Sequence, residues 1–451
     1  MVRLRKTSIV AAFVLAPILL LVAGIGLYDR SGDAQPDDSA GVTAAVRAAG
    51  VADLTGTADL SATIESLQAR LRGLPGDFAS WSALGFAYIA QARATADPSY
   101  YPKAEDAFAL VLAERPEDTG ALAGQAALAN ARHDFAAGRD LAQRAVELGP
   151  YDATAKGVLA DAQLELGEYD AALVTLQEMV DLQPGVASFT RISYSYELRG
   201  DIEGAQYALD RALEVAQSSI QATPDVAFAR LHLGELAFGS GDYEDAAAHL
   251  EEGLRREPGN VALLAARAKT LAALGDVEAA LGDYATVVER LPQPSYLVEY
   301  GELLDSVGRA TEAQAQYDVA DAASALFEAA GVEADIEVAL YAADHGYPRE
   351  ALEIAEAQYA SRRSVQVEDA LAWALHVNGR DEEALEHALA AARLGTRTAL
   401  WDYHRGMIQV ALGLDDDARD SLTRALEASP EFSPLHAPLA RAALGSLGDA
   451  G

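Results

Sequence analysis

Residues Ala153–Pro184 read ATAKGVLADAQLELGEYDAALVTLQEMVDLQP. In the first half, Val158, Leu159, Ala162 and Leu166 recur at three- and four-residue steps, which places them on one face of a helix. Ala172, Leu173, Leu176, Met179 and Val180 do the same in the second half. Between the two lies Gly167-Glu168-Tyr169-Asp170, and a glycine just past a helix end can adopt positive φ without a Cβ clash. Pro184 has no backbone donor to continue a helix, so the second helix stops there. The stretch therefore predicts an αα-hairpin with one apolar stripe on each helix. Such a hairpin buries too little apolar surface to offset the chain entropy it loses, so it folds only against neighbours of its own kind.

Those neighbours are present. Turn glycines recur at Gly167, Gly200, Gly241, Gly275, Gly308, Gly346, Gly379 and Gly413, with spacings of 33, 41, 34, 33, 38, 33 and 34. Pro116, Pro150 and Pro184 are 34 apart, as are Pro258 and Pro292. A period of this length in helix–turn–helix units indicates a solenoid.

Trp81, Leu84, Gly85 and Tyr88 stand as W-x2-L-G-x2-Y, followed by Ala104-x3-Phe108 and Pro116. This resembles the signature of the tetratricopeptide repeat (TPR) family. The resemblance runs from Phe78 to Pro430 in ten units. It implies an all-α fold: a right-handed αα-hairpin solenoid, the TPR superhelix of about ten repeats, here preceded by an N-terminal transmembrane helix. It also implies that small residues such as Gly85, Gly234, Gly301 and Gly406 lie where helices pack closest, with Ser193 filling that place in the fourth unit. The first helix of each pair is then expected to line the concave face.

Departures from the period mark insertions. Tyr88 to Ala104 spans 16 residues against nine for the matching Gln163 to Ala172, so a loop is expected at Asp97–Pro102. The longer spacings put extra residues near 215–223 and 322–330, where no Gly or Pro interrupts Ala205–Ala222 or Glu312–Ala330. Both read as lengthened second helices.

The chain divides as follows. Arg3, Arg5 and Lys6 precede an uncharged run from Thr7 to Tyr28, and about 20 helical residues span the roughly 30 Å of a hydrocarbon core. Residues 1–28 are thus expected to be a membrane anchor or a signal sequence. The basic flank places the N-terminus in the cytoplasm and the array outside the cell membrane as a single-pass protein, or secreted after signal cleavage. Residues 29–57 read as an acidic flexible linker, 58–74 as an N-capping helix, 75–430 as the TPR array and 431–451 as a C-terminal capping helix and tail.

Composition narrows the function. The formal charge of −35 repels nucleic acid and anionic lipid; it reads first as a device for solubility, with attraction of a basic protein or peptide partner or of cations as the alternative. The absence of cysteine removes disulfides, thiolate metal sites and cysteine nucleophiles. The eight histidines are scattered without metal-ligand spacing, and neither a phosphate loop nor a G-x-S-x-G motif occurs. No cofactor, metal or small-molecule substrate is expected, and the chain reads as non-enzymatic.

A groove remains. The family's best-known peptide groove clamps a terminal carboxylate with lysine, asparagine and arginine. The corresponding helix faces here carry Ser82, Phe86, Thr154, Asp161, Leu231, Glu235, Glu299 and Glu302 instead, which argues against such a clamp. Trp373 and His376 share a helix face off the Leu371/Ala372/Leu375 set; Met407 follows Trp373 by 34, and Tyr403 follows Asp369 by 34. Asp369, Trp373, His376, Tyr403 and Met407 are therefore the candidate protein-binding residues, with filling of space between helices as the plain alternative. Tyr194 in the fourth unit, and Tyr100 and Tyr101 between prolines, are further candidates. The functional expectation is a membrane-anchored scaffold for protein–protein interaction. The alternatives are an assembly chaperone for exported envelope or cytochrome proteins, and an unrecognised hydrolase or metal-handling protein.

Overall fold

The computed structural model describes residues 57–218 and 222–448. Among the described residues there are 22 α-helices and no strand. Helix α1, Thr57–Gly73, precedes ten antiparallel pairs. They are α2 (Phe78–Thr95) with α3 (Tyr100–Glu114), α4 (Thr119–Ala131) with α5 (Phe135–Leu148), and α6 (Ala153–Glu165) with α7 (Tyr169–Leu182). Next come α8 (Val186–Glu197) with α9 (Ile202–Ser218), α10 (Ala222–Gly239) with α11 (Tyr243–Arg256), and α12 (Val261–Ala273) with α13 (Val277–Arg290). The last four are α14 (Pro294–Ser306) with α15 (Ala310–Ala329), α16 (Ile336–Asp344) with α17 (Pro348–Ser361), α18 (Val365–Val377) with α19 (Asp381–Ala391), and α20 (Ala399–Ala411) with α21 (Asp415–Ala428). Helix α22, His436–Gly448, covers the far end with Ala437, Ala440 and Leu447 buried. At the near end Leu60, Ile64, Leu67 and Leu71 of α1 are buried against α2.

Local chemistry sets the pairs. Asp152 opens α6 by accepting from the backbone N–H groups of Thr154 (2.9 Å) and Ala155 (3.1 Å), and Asp134, Asp242 and Asp276 cap second helices in the same way. All eight turn glycines have φ between +68° and +86°. Within pairs the helices touch at small residues: a Cβ added at Gly85 or Gly301 would lie 2.5 or 2.3 Å from the ring of Phe108 or Tyr317. In the fourth unit the Ser193 hydroxyl donates to the Ala205 carbonyl across the pair (3.0 Å).

The insertions are absorbed by helices. The expected Asp97–Pro102 loop is largely absent, because α2 runs on to Thr95 and α3 already begins at Tyr100. The lengthened second helix is found in α15, which has 20 residues. At the other insertion the extra length is shared between α9, with 17 residues, and the start of α10, with 18. The proposed anchor, residues 1–28, lies outside the described residues, as does nearly all of the linker at 29–57. Among the described residues no helix is long and apolar enough to cross a membrane.

An open rod is not what the repeats build. The solenoid coils tightly enough for its second turn to rest on its first, with contacts between residues 172 to 200 apart, or about five to six units of 34. The closest approaches are backbone to backbone: a Cβ at Gly167, Gly200 or Gly241 would meet the carbonyl oxygen of Arg363, Gly395 or Ala428 at 2.7, 2.1 and 2.9 Å. Three turn glycines therefore serve twice, once for the positive φ and once for the seam. The Tyr169 hydroxyl accepts from the Val365 N–H (2.7 Å), Thr396 donates to the Leu198 carbonyl (2.5 Å), and the Tyr243 hydroxyl accepts from the Glu431 N–H (2.7 Å).

At the centre of the seam sits Arg362, 3% exposed, which bonds both Glu165 and Asp335 and lies over the Phe135 ring at 4.7 Å. Burial works to raise the Asp335 carboxyl, but the His133 ring and the Arg362 guanidinium hold it below its ordinary range. Burial pushes Glu165 up to about 7, with Arg362 opposing. His133 stands at the turn position of the second unit, where there is no glycine, and adopts φ +65°. A left-handed non-glycine residue costs about 1–2 kcal/mol. The ring is held by Asp335 (3.2 Å from Nδ1) and stacks on Phe135.

Replacing Arg362 by methionine leaves two buried carboxyls without their cation, an expected loss of about 3–5 kcal/mol. Small-angle scattering should report a larger radius, and amide exchange should quicken at Val365, while helical circular dichroism is retained. An unchanged radius would show that Arg362 does not close the coil.

Candidate functional site

Because the turns meet, the space inside the coil is partly enclosed and still open to solvent. It forms a cavity of about 1190 Å³, walled by the first helices of the fourth to ninth pairs. The second turn closes it through Thr396–Trp401 and Ser429–His436.

Its wall is acidic. Glu197, Glu235, Glu299, Glu302, Glu337, Asp344, Glu427 and Glu431 line it, against Lys269 and Arg397. The apolar part includes Leu236, Val298, Leu340, Trp401 and Phe432. Several of these carboxyls are surrounded by protein yet remain in touch with the cavity. Burial, with Asp344 and Glu299 nearby, pushes Glu302 up to about 8. Burial pushes Glu197 up to about 7, with His232 opposing. Glu299 is also raised by burial, although Lys269 and the Tyr284 hydroxyl, which donates to it at 3.2 Å, pull the other way. Glu235 bonds His232 Nδ1 at 2.8 Å, and Glu197 accepts from Ser193 at 3.4 Å. Glu302 has no hydrogen bond or ion pair among the described residues.

The residues singled out from the sequence divide among several places. Tyr194 lines the cavity, where its hydroxyl accepts from Gln366 Nε2 at 2.7 Å. Glu235, Glu299 and Glu302 line it too, whereas Phe86 and Leu231 are core residues and Asp161 is buried in a bidentate pair with Arg191 (2.9 and 3.0 Å). Trp373 and Tyr403, candidate protein-binding residues with the filling of space between helices as the alternative, are buried, at 6% and 1% exposure. They fill space between helices because His404 and His436 stack around them, with the Trp373–His404 centroids 4.3 Å apart. Asp369 is also buried and bonds His404 Nδ1 at 2.9 Å. His376 stacks on Trp373 and bonds Asp381 (2.6 Å), and Met407 packs partly buried against the same cluster. Tyr101 is buried, and Tyr100 lies beside Tyr88 with Lys103 over its ring at 4.0 Å.

The aromatic cluster still reaches the cavity, through Asp344. Trp373 Nε1 donates to that carboxylate (2.7 Å) and His436 Nε2 lies 3.2 Å from it. Burial acts to raise Asp344, but the bonds from His436 and Trp373, with His404 nearby, hold it low and therefore charged. Asp344, Lys269, Trp401 and Phe432 were not singled out by sequence reasoning. Glu235, Glu299 and Glu302 carried the available signal, as acidic residues on inward helix faces.

Because Glu197 and Glu302 hold protons in the folded chain that the unfolded chain releases in the ordinary carboxyl range, stability is greatest below that range. It should fall as the pH rises through about 7 to 8. Melting temperature measured from pH 5 to 9 should therefore decline, and Glu302→Gln should flatten the slope. An equal slope in the variant would remove Glu302 as its source.

Residues 122–187, 194–261 and 231–293 match the tetratricopeptide repeat family model. No curated protein matches the chain. Among solved structures, the human IFIT1 dimer with m7Gppp-AAAA is 16% identical over 75% of this chain and 78% of its own, with a TM-score of 0.44. A tetratricopeptide repeat protein from Parabacteroides merdae is 18% identical over 58% of this chain and 98% of its own, with a TM-score of 0.34. A thermophilic TPR protein of Thermus thermophilus is 24% identical over 42% of this chain and 99% of its own, with a TM-score of 0.37. Over residues 122–187 and 194–293 the helical pairs are similar to tetratricopeptide repeats, and among the described residues all ten pairs stack as one all-α solenoid.

Proposed function

We propose that the protein is a non-enzymatic interaction scaffold that holds a segment of a partner protein inside its coil. The single observation that carries this reading is the partly enclosed cavity of about 1190 Å³, walled by consecutive first helices. Cavities that take small molecules span roughly 300–1,000 Å³, so this one has room for several residues of chain. The net charge of −35 favours a protein partner over nucleic acid.

The scaffold is tethered by its N-terminal segment, with the array on the extracytoplasmic side of the cell membrane. Support comes from Arg3, Arg5 and Lys6 ahead of the uncharged run Thr7–Tyr28. Because the chain has no cysteine, a single one introduced by Tyr151→Cys, at a position 84% exposed, reports on side. A membrane-impermeant maleimide should label it in spheroplasts, and labelling only after lysis would place the array in the cytoplasm.

Ala273 lines the cavity, and Ala273→Trp should fill part of it while leaving the fold helical. Proximity labelling by the intact protein in its own cell should then lose its principal partner, whereas Tyr151→Ala on the outer surface should not. Identical labelled sets from the wild-type and Ala273→Trp proteins would sink the interior as the working surface.

A further inference from the structure

The interior offers charge on one side and apolar surface on the other. Eight carboxylate side chains line it against two full cations, Lys269 and Arg397. Glu302 faces the cavity with no hydrogen bond or ion pair among the described residues, and Glu299 lies one helical turn away on α14. Trp401 and Phe432, supplied by the second turn, give the closing wall its apolar character. A carboxylate drawn into a protein-walled space and left without a cation is unfavourable on its own, and an entering cation relieves it.

We infer that the cavity takes a basic, partly apolar stretch of polypeptide, whose lysine or arginine side chains meet Glu299 and Glu302 while its apolar residues lie against Trp401 and Phe432. This rests on the scaffold reading and names the chemistry of the segment held. Charge complementarity selects the occupant: an acidic segment would add like charge to a wall that already repels itself, and a purely apolar one would strand the carboxylates. Glu302 faces Asp344, Glu299, Asp305 and Lys269, and Glu197 faces His232 and Glu235; in both, the proton that burial retains is displaced by an arriving cation.

The test uses the full chain in detergent micelles and fluorescence anisotropy of a labelled eight-residue peptide alternating lysine and leucine. The lysine peptide should bind, and its glutamate–leucine counterpart should not. Affinity for the lysine peptide should rise from pH 6 to 8, with release of protons to the buffer. The double substitution Glu299→Gln and Glu302→Gln should weaken binding about 100-fold, at about tenfold for each charge-assisted bond lost. Because it relieves like-charge repulsion, it should not lower the melting temperature. Neutralising Asp415, Asp416 and Asp417 to asparagine on the outer surface should leave affinity within about twofold, which separates the cavity from a general attraction to a chain of charge −35.

Equal binding of the two peptides, or unchanged affinity in the glutamine variant, overturns the inference. So does an equal loss on neutralising the outer aspartates. If charge-blind peptide binding accompanies loss of in-cell capture by Ala273→Trp, the scaffold reading stands and the basic segment falls. Charge-dependent peptide binding with capture unaffected by Ala273→Trp has the opposite meaning.

Discussion

Arg362 carries its guanidinium into the seam between the two turns of the coil, where it meets Glu165 from the first turn and Asp335 from its own. Withdrawing three charged groups from water is costly, and apolar side chains of similar volume would often be as stable. What an ion cluster adds is register. An apolar seam could slide by part of a unit with small loss, whereas a buried charge that misses its partner is left uncompensated. Around this point the contacts are backbone-close, at Gly167 and Gly200, so the two turns are fixed both along and across the seam.

The interior follows from that closure. First helices that would face an open groove instead face each other across a partly enclosed space, and residues from distant parts of the chain, such as Glu197 and Phe432, share one lining. Enclosure changes the electrostatics as well as the shape. In an open groove the glutamates would be solvated and ordinary; walled in by protein, Glu197 and Glu302 are pushed to about 7 and about 8. The same geometry that makes room for a ligand therefore makes the wall want a cation.

The aromatic set of the last units has a supporting part in this arrangement. Trp373, Tyr403, His404 and His436 stack as a block behind the wall, and the block presents Asp344 to the cavity as a charged group. A large side chain between two helices can lie on a predicted groove face and still be covered when a later element folds back over it. Here that element is the segment from Phe432 to His436, at the start of the terminal cap.

Local sequence determined what depends on neighbours in the chain. Apolar steps of three and four in Ala153–Pro184 dictated two helices, Gly167 dictated the reversal between them, and the 34-residue period dictated that like units stack. Even the lengthened α15 was legible, because no Gly or Pro interrupts it. Tertiary structure alone decided the pitch. Pitch is the sum of small rotations between successive units, shifted by each long helix, and no single period encodes that sum. The contacts it produces join residues 172 to 200 apart, far beyond any repeat. For that reason His133 could not be read as a turn residue held by Asp335, nor Glu302 as a carboxyl in a partly enclosed cavity: both owe their surroundings to the return of the second turn.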